Sequence, residues 1–328
     1  MNRLKEWKKM KKKTIIIIIF MMLILFSSSS ISISISANSI DNKSISIQEL
    51  DHNSPEDIEY YALIIGVETF VGGILYPMED KLDDDAIAMY NLLLNSSNWK
   101  EQNIRLILNE NATKDKIRDK ITGWLGNVAD ENDVVLIYYI SHGWKTKLKD
   151  RLKGNAYIFT YNHTKGSGLE TKITDKEFDS YVDNIKSKHI AIIFGSCYSG
   201  RMLALRQRGR VILAPGGRFL FCGVDECDVL KSGIFGYFLR KGFEGVADLN
   251  NDGWVTAEEA FIYAKIPAIW HSFWVQFPFI QNYYDGVENR TIFFLFQIPV
   301  MFDRYFGQLK LFQYEIKNEN QIKMKNKD

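Results

Sequence analysis

Two short segments of this chain carry residue types able to do covalent chemistry. Ser141-His142-Gly143 directly follows the apolar run DVVLIYYI (133–140), and GSCYSG (195–200) directly follows HIAIIF (189–194). A thiol attacks a carbonyl as its thiolate, and an imidazole within reach supplies the base or the ion-pair partner that holds the thiolate. Glycines beside both residues leave backbone N–H groups open to an oxyanion, a role that the amides of Gly143 and Cys197 could fill. Taken alone, Cys197 has three readings: a nucleophile, half of a disulfide, or a small buried residue. A lone His142 is as readily surface or core filler. Their joint placement at the ends of two apolar runs favours a Cys–His pair.

The runs that must position them are short and rich in β-branched or aromatic residues: 60–67, 104–108, 133–140, 189–194 and 218–223. Most are apolar throughout, which predicts strands covered on both faces, as in a parallel sheet. Helical stretches fall between them. Residues 83–95 open with three aspartates suited to a helix N-terminus, and 113–125 follow the Thr113 cap. Residues 174–186 open with Thr174 and, three later, Glu177, a capping box. Strand–helix–strand repeated in this way predicts a doubly wound α/β sheet with its crevice at the carboxyl ends of the strands. His142 and Cys197 both fall at such ends.

The arrangement of strand–SHG, 55 residues, then strand–GSCYSG resembles the cysteine peptidase clan of caspases, metacaspases, legumains, gingipains and clostripain. The similarity runs from about 60 to about 265 and takes in ALIIGV with DDDAIAMYNLL, ITDKEFDSYV, and APGGRFLFCGVDE with GIFGYFL. It is nearest in character to prokaryotic legumain-like or caspase-like exported proteins. The resemblance implies a caspase-hemoglobinase-type, mostly parallel sheet with helices on both faces. It also implies a cysteine endopeptidase acting on protein or peptide substrates, with Cys197 as nucleophile and His142 as general acid/base. A transpeptidase would use the same pair, and a non-catalytic calcium-dependent surface protein could keep the same fold. One position departs from the clan: Gly195 stands where metacaspases and legumains usually carry an acidic residue that helps shape the S1 pocket. Asp225 and Glu226, in the loop after 218–223, are the alternative pocket candidates.

A second chemical pattern lies at 248–259, DLNNDGWVTAEE, which matches D-x-N-x-D-G-x5-E, the EF-hand-like calcium loop. Asp248, Asn250, Asp252 and Glu259 offer side-chain oxygens, Trp254 its carbonyl, and Thr256 a ligand directly or through water. Helical stretches at 233–245 and 257–265 flank it. A single loop of this kind reads as a structural clip for Ca2+, and no organic cofactor is expected. The remaining cysteines, Cys222 and Cys227, are five apart and form either a small disulfide or two unlinked thiols.

The ends bound the setting. The first 13 residues hold seven basic side chains and one acidic, followed by the 13-residue apolar run TIIIIIFMMLILF and a Ser/Ile tract. Residues 1–37 therefore read as a signal peptide or an uncleaved signal anchor, and either places the rest of the chain outside the cytoplasm. Residues 38–58 read as a linker or pro-segment. Without the first 13 residues, 34 basic side chains face 39 acidic ones, which argues against nucleic acid as a partner. Sequons at Asn42, Asn95, Asn111, Asn162 and Asn289 are compatible with a glycosylated exterior. The peptidase-like domain is expected over 59–265, including the calcium loop. An aromatic-rich extension packed on the core (266–316) and a polar tail (317–328) complete the chain.

Overall fold

The structure is a computed structural model that describes residues 58–71, 82–147, 152–216, 226–227, 232–284 and 297–314. All of these belong to one compact unit spanning Pro55–Asp328. Its centre is a six-stranded sheet built from β1 (Tyr60–Gly66), β2 (Ile104–Leu108), β3 (Val134–Ile140), β7 (His189–Phe194), β8 (Arg210–Ala214) and β12 (Val300–Asp303), in the order β12-β8-β7-β3-β1-β2. Five strands run parallel, and β12 closes one edge antiparallel to β8. A separate three-stranded sheet of β4 (Gly143–Lys145), β5 (Ala156–Phe159) and β6 (Lys172–Thr174) begins directly after His142.

The unbroken apolar character of the central strands has its cause in two cores, one on each face. Along β3, Val134, Leu136, Tyr138 and Ile140 point into one core, while Val135, Ile137 and Tyr139 point into the other. Alternation with period two thus persists, but both faces are dry, so both sets are apolar. Each fully buried Leu or Ile contributes about 2 kcal/mol, which makes the sheet a stiff platform for the loops it carries.

Among the described residues, five helices cover the sheet: α1 (Leu82–Leu94), α2 (Lys114–Asp119, continued by wider turns to Val128), α3 (Asp175–Val182), α4 (Ile234–Lys241) and α5 (Ala257–Tyr284). The sequence signals for their starts hold. Thr113 accepts the Lys116 amide, and Thr174 with Glu177 forms the full capping box. α5 runs across the expected 265/266 boundary, and β12 from the C-terminal extension is an edge strand of the main sheet.

Two features were not legible beforehand. β8 (RVILA, 210–214) occupies the sheet position next to β7, whereas the expected strand 218–223 lies outside the described residues. A buried ion pair joins two helices: Arg240 of α4 donates to Asp85 of α1 at 2.7 Å, and Asp85 also accepts the Gly233 amide at 2.8 Å. With Asp85 1% exposed, the pair fixes α1 against the chain entering α4.

Candidate active site

The register of the sheet decides which loops meet. β3 pairs with β7 from Val134↔His189 to Tyr139↔Phe194, and the Gly195 amide donates to the Tyr139 carbonyl at 2.9 Å. Both strands end level, so His142 and Cys197 leave adjacent strands at the same height. Gly143 shows how closely the loops pack: a Cβ there would overlap the Cys197 carbonyl oxygen and stand 3.3 Å from the Ser196 Cβ. Only glycine lets the histidine loop lie against the cysteine loop in this way.

Each residue is held by its own neighbourhood. The His142 carbonyl accepts the Phe159 amide of β5 at 2.9 Å and the Ser141 hydroxyl at 2.8 Å. Its ring is half-buried and lies face to face with the Phe70 ring, at 5.9 Å and 25°. Cys197 is 8% exposed and is the one cysteine among the described residues found as a free thiol. The chain reverses just after it. Tyr198 adopts the left-handed conformation, φ 57°, which costs a non-glycine residue about 1 kcal/mol and drops the chain at once into the turn Ser199–Arg201. The Arg201 amide donates to the Tyr198 carbonyl at 2.9 Å, and the Ser199 hydroxyl to the Ser196 carbonyl at 2.6 Å. Cys197 therefore sits at the apex of a sharp strand-to-turn bend.

Aromatic groups flank that apex. Trp144 meets Tyr198 edge-on at 5.2 Å, and the Lys145 ammonium lies 5.9 Å from the Tyr198 ring centre. Burial, and next the charge of neighbouring Cys197, raise the Tyr198 hydroxyl above its ordinary value, so it stays protonated. Neither Trp144 nor Tyr198 stood out in the sequence.

Gly195 now has a steric explanation. A Cβ at this position would stand 2.8 Å from both Cγ1 and Cδ1 of Ile140, which is buried on the neighbouring strand. The space toward which an acidic side chain would begin is filled by isoleucine. Of the alternative pocket residues, Asp225 lies outside the described residues. Glu226 lies in the short strand β9 (Glu226–Cys227), paired with β10 (Ser232–Gly233). The Cys222–Cys227 pairing also falls outside what is described.

The 248–259 loop has the donor chemistry of a calcium site and is held by hydrogen bonds to its own backbone. Asp248 accepts the amides of Asp252 (3.1 Å) and Gly253 (3.0 Å), and Asn250 accepts the Asp252 amide at 2.9 Å. Glu259 caps α5, with one oxygen taking the amide and hydroxyl of Thr256 and the other taking the Leu249 amide. The Lys310 ammonium pairs with Asp252 at 3.3 Å and lies over the Trp254 ring. Trp254–Thr256 forms β11, antiparallel to β13 (Lys310–Gln313). Among the described residues, no three His, Cys, Asp or Glu side chains gather as a group that could hold a metal ion. The oxygen set suits calcium by type.

The architecture defines a mixed α/β fold with a central, mostly parallel sheet, consistent with the caspase-like fold. Residues 62–206, which contain both His142 and Cys197, match the family model described as metacaspase, peptidase C14 domain. Among solved structures, the crystal structure of protein GSU0716 from Geobacter sulfurreducens superposes with a TM-score of 0.52 at 12% identity, over 79% of this chain and 100% of that one. That likeness speaks to the fold alone. No curated protein matches the sequence. The matched domain suggests a cysteine peptidase, a hydrolase of protein or peptide substrates.

Proposed function

We propose that this protein is a cysteine endopeptidase working through a Cys197–His142 dyad. The observation that carries the reading is the level ending of β3 and β7, with Gly143 packed on the Cys197 carbonyl. In this reading the Cys197 thiolate attacks the scissile carbonyl carbon. The imidazolium of His142 then gives its proton to the departing amine as the C–N bond breaks. Neutral His142 next takes a proton from water, which attacks the thioester and releases the acid. The amides of Gly143 and Cys197 are the proposed oxyanion donors. A positional peptide-library cleavage assay on wild type beside Cys197→Ala tests this. Loss of all cleavage in the variant supports it, and equal cleavage by both defeats it.

Two further parts belong to the same reading. The basic and apolar N-terminus acts as an export signal or anchor, so the domain works outside the cytoplasm. The 248–259 loop takes Ca2+ as a structural ion, with Asp248, Asn250, Asp252, the Trp254 carbonyl, Thr256 and Glu259 as its ligands. Lys310, paired with Asp252, is the cation with which a bound ion would share that carboxylate. A melting curve with and without chelator tests it.

A further inference from the structure

Three adjacent strands of the central sheet each place one residue beyond the same edge. β7 delivers Cys197, β3 delivers His142, and β1, which lies beside β3, delivers Phe70 four residues past its end. The strand order turns back between β1 and β3, which is the place where α/β sheets open their crevices.

The loop carrying Phe70 is tied at several points. The Val67 amide donates to the Ile140 carbonyl at 3.0 Å, and Glu68 and Thr69 both donate to the Asn109 side-chain oxygen at 3.0 Å. The Val71 amide donates to the Tyr161 carbonyl at 2.9 Å. Asn109 takes a left-handed backbone, φ 44°, at the end of β2 to make its two bonds. These contacts hold Phe70, 5% exposed, with its ring stacked on the His142 imidazole.

The far side of Phe70 is closed by two more rings. Phe159 and His163 each meet it edge-on at 6.4 Å and lie 4.3 Å from one another. Phe159 is also the residue whose amide holds the His142 carbonyl. One side chain thus secures both the backbone of the histidine and the ring beside it. His163 is pinned in turn by the hydroxyls of Ser167 (2.8 Å) and Thr171 (3.0 Å). The separations lie in the range where aromatic pairs contribute beyond their buried area, and every ring is fixed by a backbone contact or hydrogen bond.

We propose that Phe70 is a positioning residue for the catalytic histidine: its stacked ring sets the plane of the His142 imidazole toward Cys197. The proposal rests on the dyad reading. Orienting a catalytic base needs a partner that fixes its ring, and a planar apolar face can do this while keeping bulk water from one side of the imidazole. The titratable groups around the array are Cys197 on the β7 loop, His163 and Lys172 on the β5–β6 side, and Glu68 two residues before Phe70.

The test reads the thiolate directly and needs no known substrate. The rate at which iodoacetamide alkylates Cys197 in the full-length chain is followed against pH, with peptide mapping to separate it from Cys222 and Cys227. In a working dyad, His142→Ala slows alkylation at pH 6.5 by about 10-fold or more, because the thiol returns toward its ordinary pKa. Phe70→Leu keeps the apolar volume and removes the ring plane; it is expected to slow the same reaction by roughly 3- to 10-fold with little change in melting temperature. Phe70→Tyr, which keeps the ring, is expected to recover most of the wild-type rate. If Phe70→Leu alkylates like wild type, or if Phe70→Tyr is as slow as Phe70→Leu at unchanged stability, the proposal is overturned and the dyad stands. If His142→Ala leaves the profile unmoved, the dyad reading itself fails and takes the proposal with it.

Discussion

The crevice at the carboxyl ends of β3 and β7 and the 248–259 loop differ in how their chemistry is assembled. In the crevice, His142 and Cys197 stand 55 residues apart, and the sheet register brings them level. In the loop, all six oxygen-bearing positions lie within twelve residues, yet their carboxylates are engaged locally, by backbone amides, by Thr256 and by Lys310. The crevice residues are set by the pairing of two strands, whereas the loop's contacts are largely its own.

The sharpest way to break this comparison is at the thiol. Cys197→Ala is expected to abolish peptide cleavage altogether, measured on a cleaved library peptide, while leaving the melting temperature near wild type. Next in size is the platform. Asp85→Ala removes the carboxylate that faces the buried Arg240 and accepts the Gly233 amide. A loss of about 3 to 5 kcal/mol is expected, or on the order of 10 °C in thermal melting, with activity falling because the fold falls.

A smaller effect comes from pH. Burial, and then the Lys172 charge, push His163 down to about 4, so it is neutral in the folded protein. The unfolded chain takes up that proton nearer pH 6.5, so it binds more protons than the native state between about 6.5 and 4. The stability held by neutral His163 is therefore complete above pH 6.5 and is lost as pH falls through this window. The drop in melting temperature from pH 7.5 to 5 should be smaller in His163→Gln than in wild type, by an amount corresponding to about 1 to 2 kcal/mol. Equal drops would show that His163 is not held neutral.

The smallest expected effect sharpens the other side of the comparison. Millimolar calcium is expected to raise the melting temperature by an amount equivalent to about 1 kcal/mol, and Asp252→Ala to remove the rise. Lys310→Met, which frees Asp252, should enlarge it. A flat response in wild type and in Lys310→Met would reduce the loop to a turn.

Much of this was legible in the sequence because its causes are local or periodic. The apolar runs gave β1, β2, β3 and β7, and Thr174 with Glu177 gave the start of α3. β8 escaped because RVILA sits beside a more conspicuous aromatic run at 218–223. His142 and Cys197 announced themselves by type and glycine context. Phe70 did not: one phenylalanine in a loop is unremarkable until the sheet order sets β1 beside β3. The consequence of Gly195 was visible as a missing acid, but its reason, the Ile140 side chain, belongs to a strand pairing that no local pattern encodes.

That contact makes residues 140 and 195 an ordered pair. An aspartate introduced at 195 alone must push aside a buried, β-branched side chain with little rotational freedom. Shortening Ile140 to alanine first opens the room, so the acid becomes acceptable as a second step and not as a first. Residues 140 and 195 are therefore best varied together, since every single change at 195 meets the Ile140 side chain.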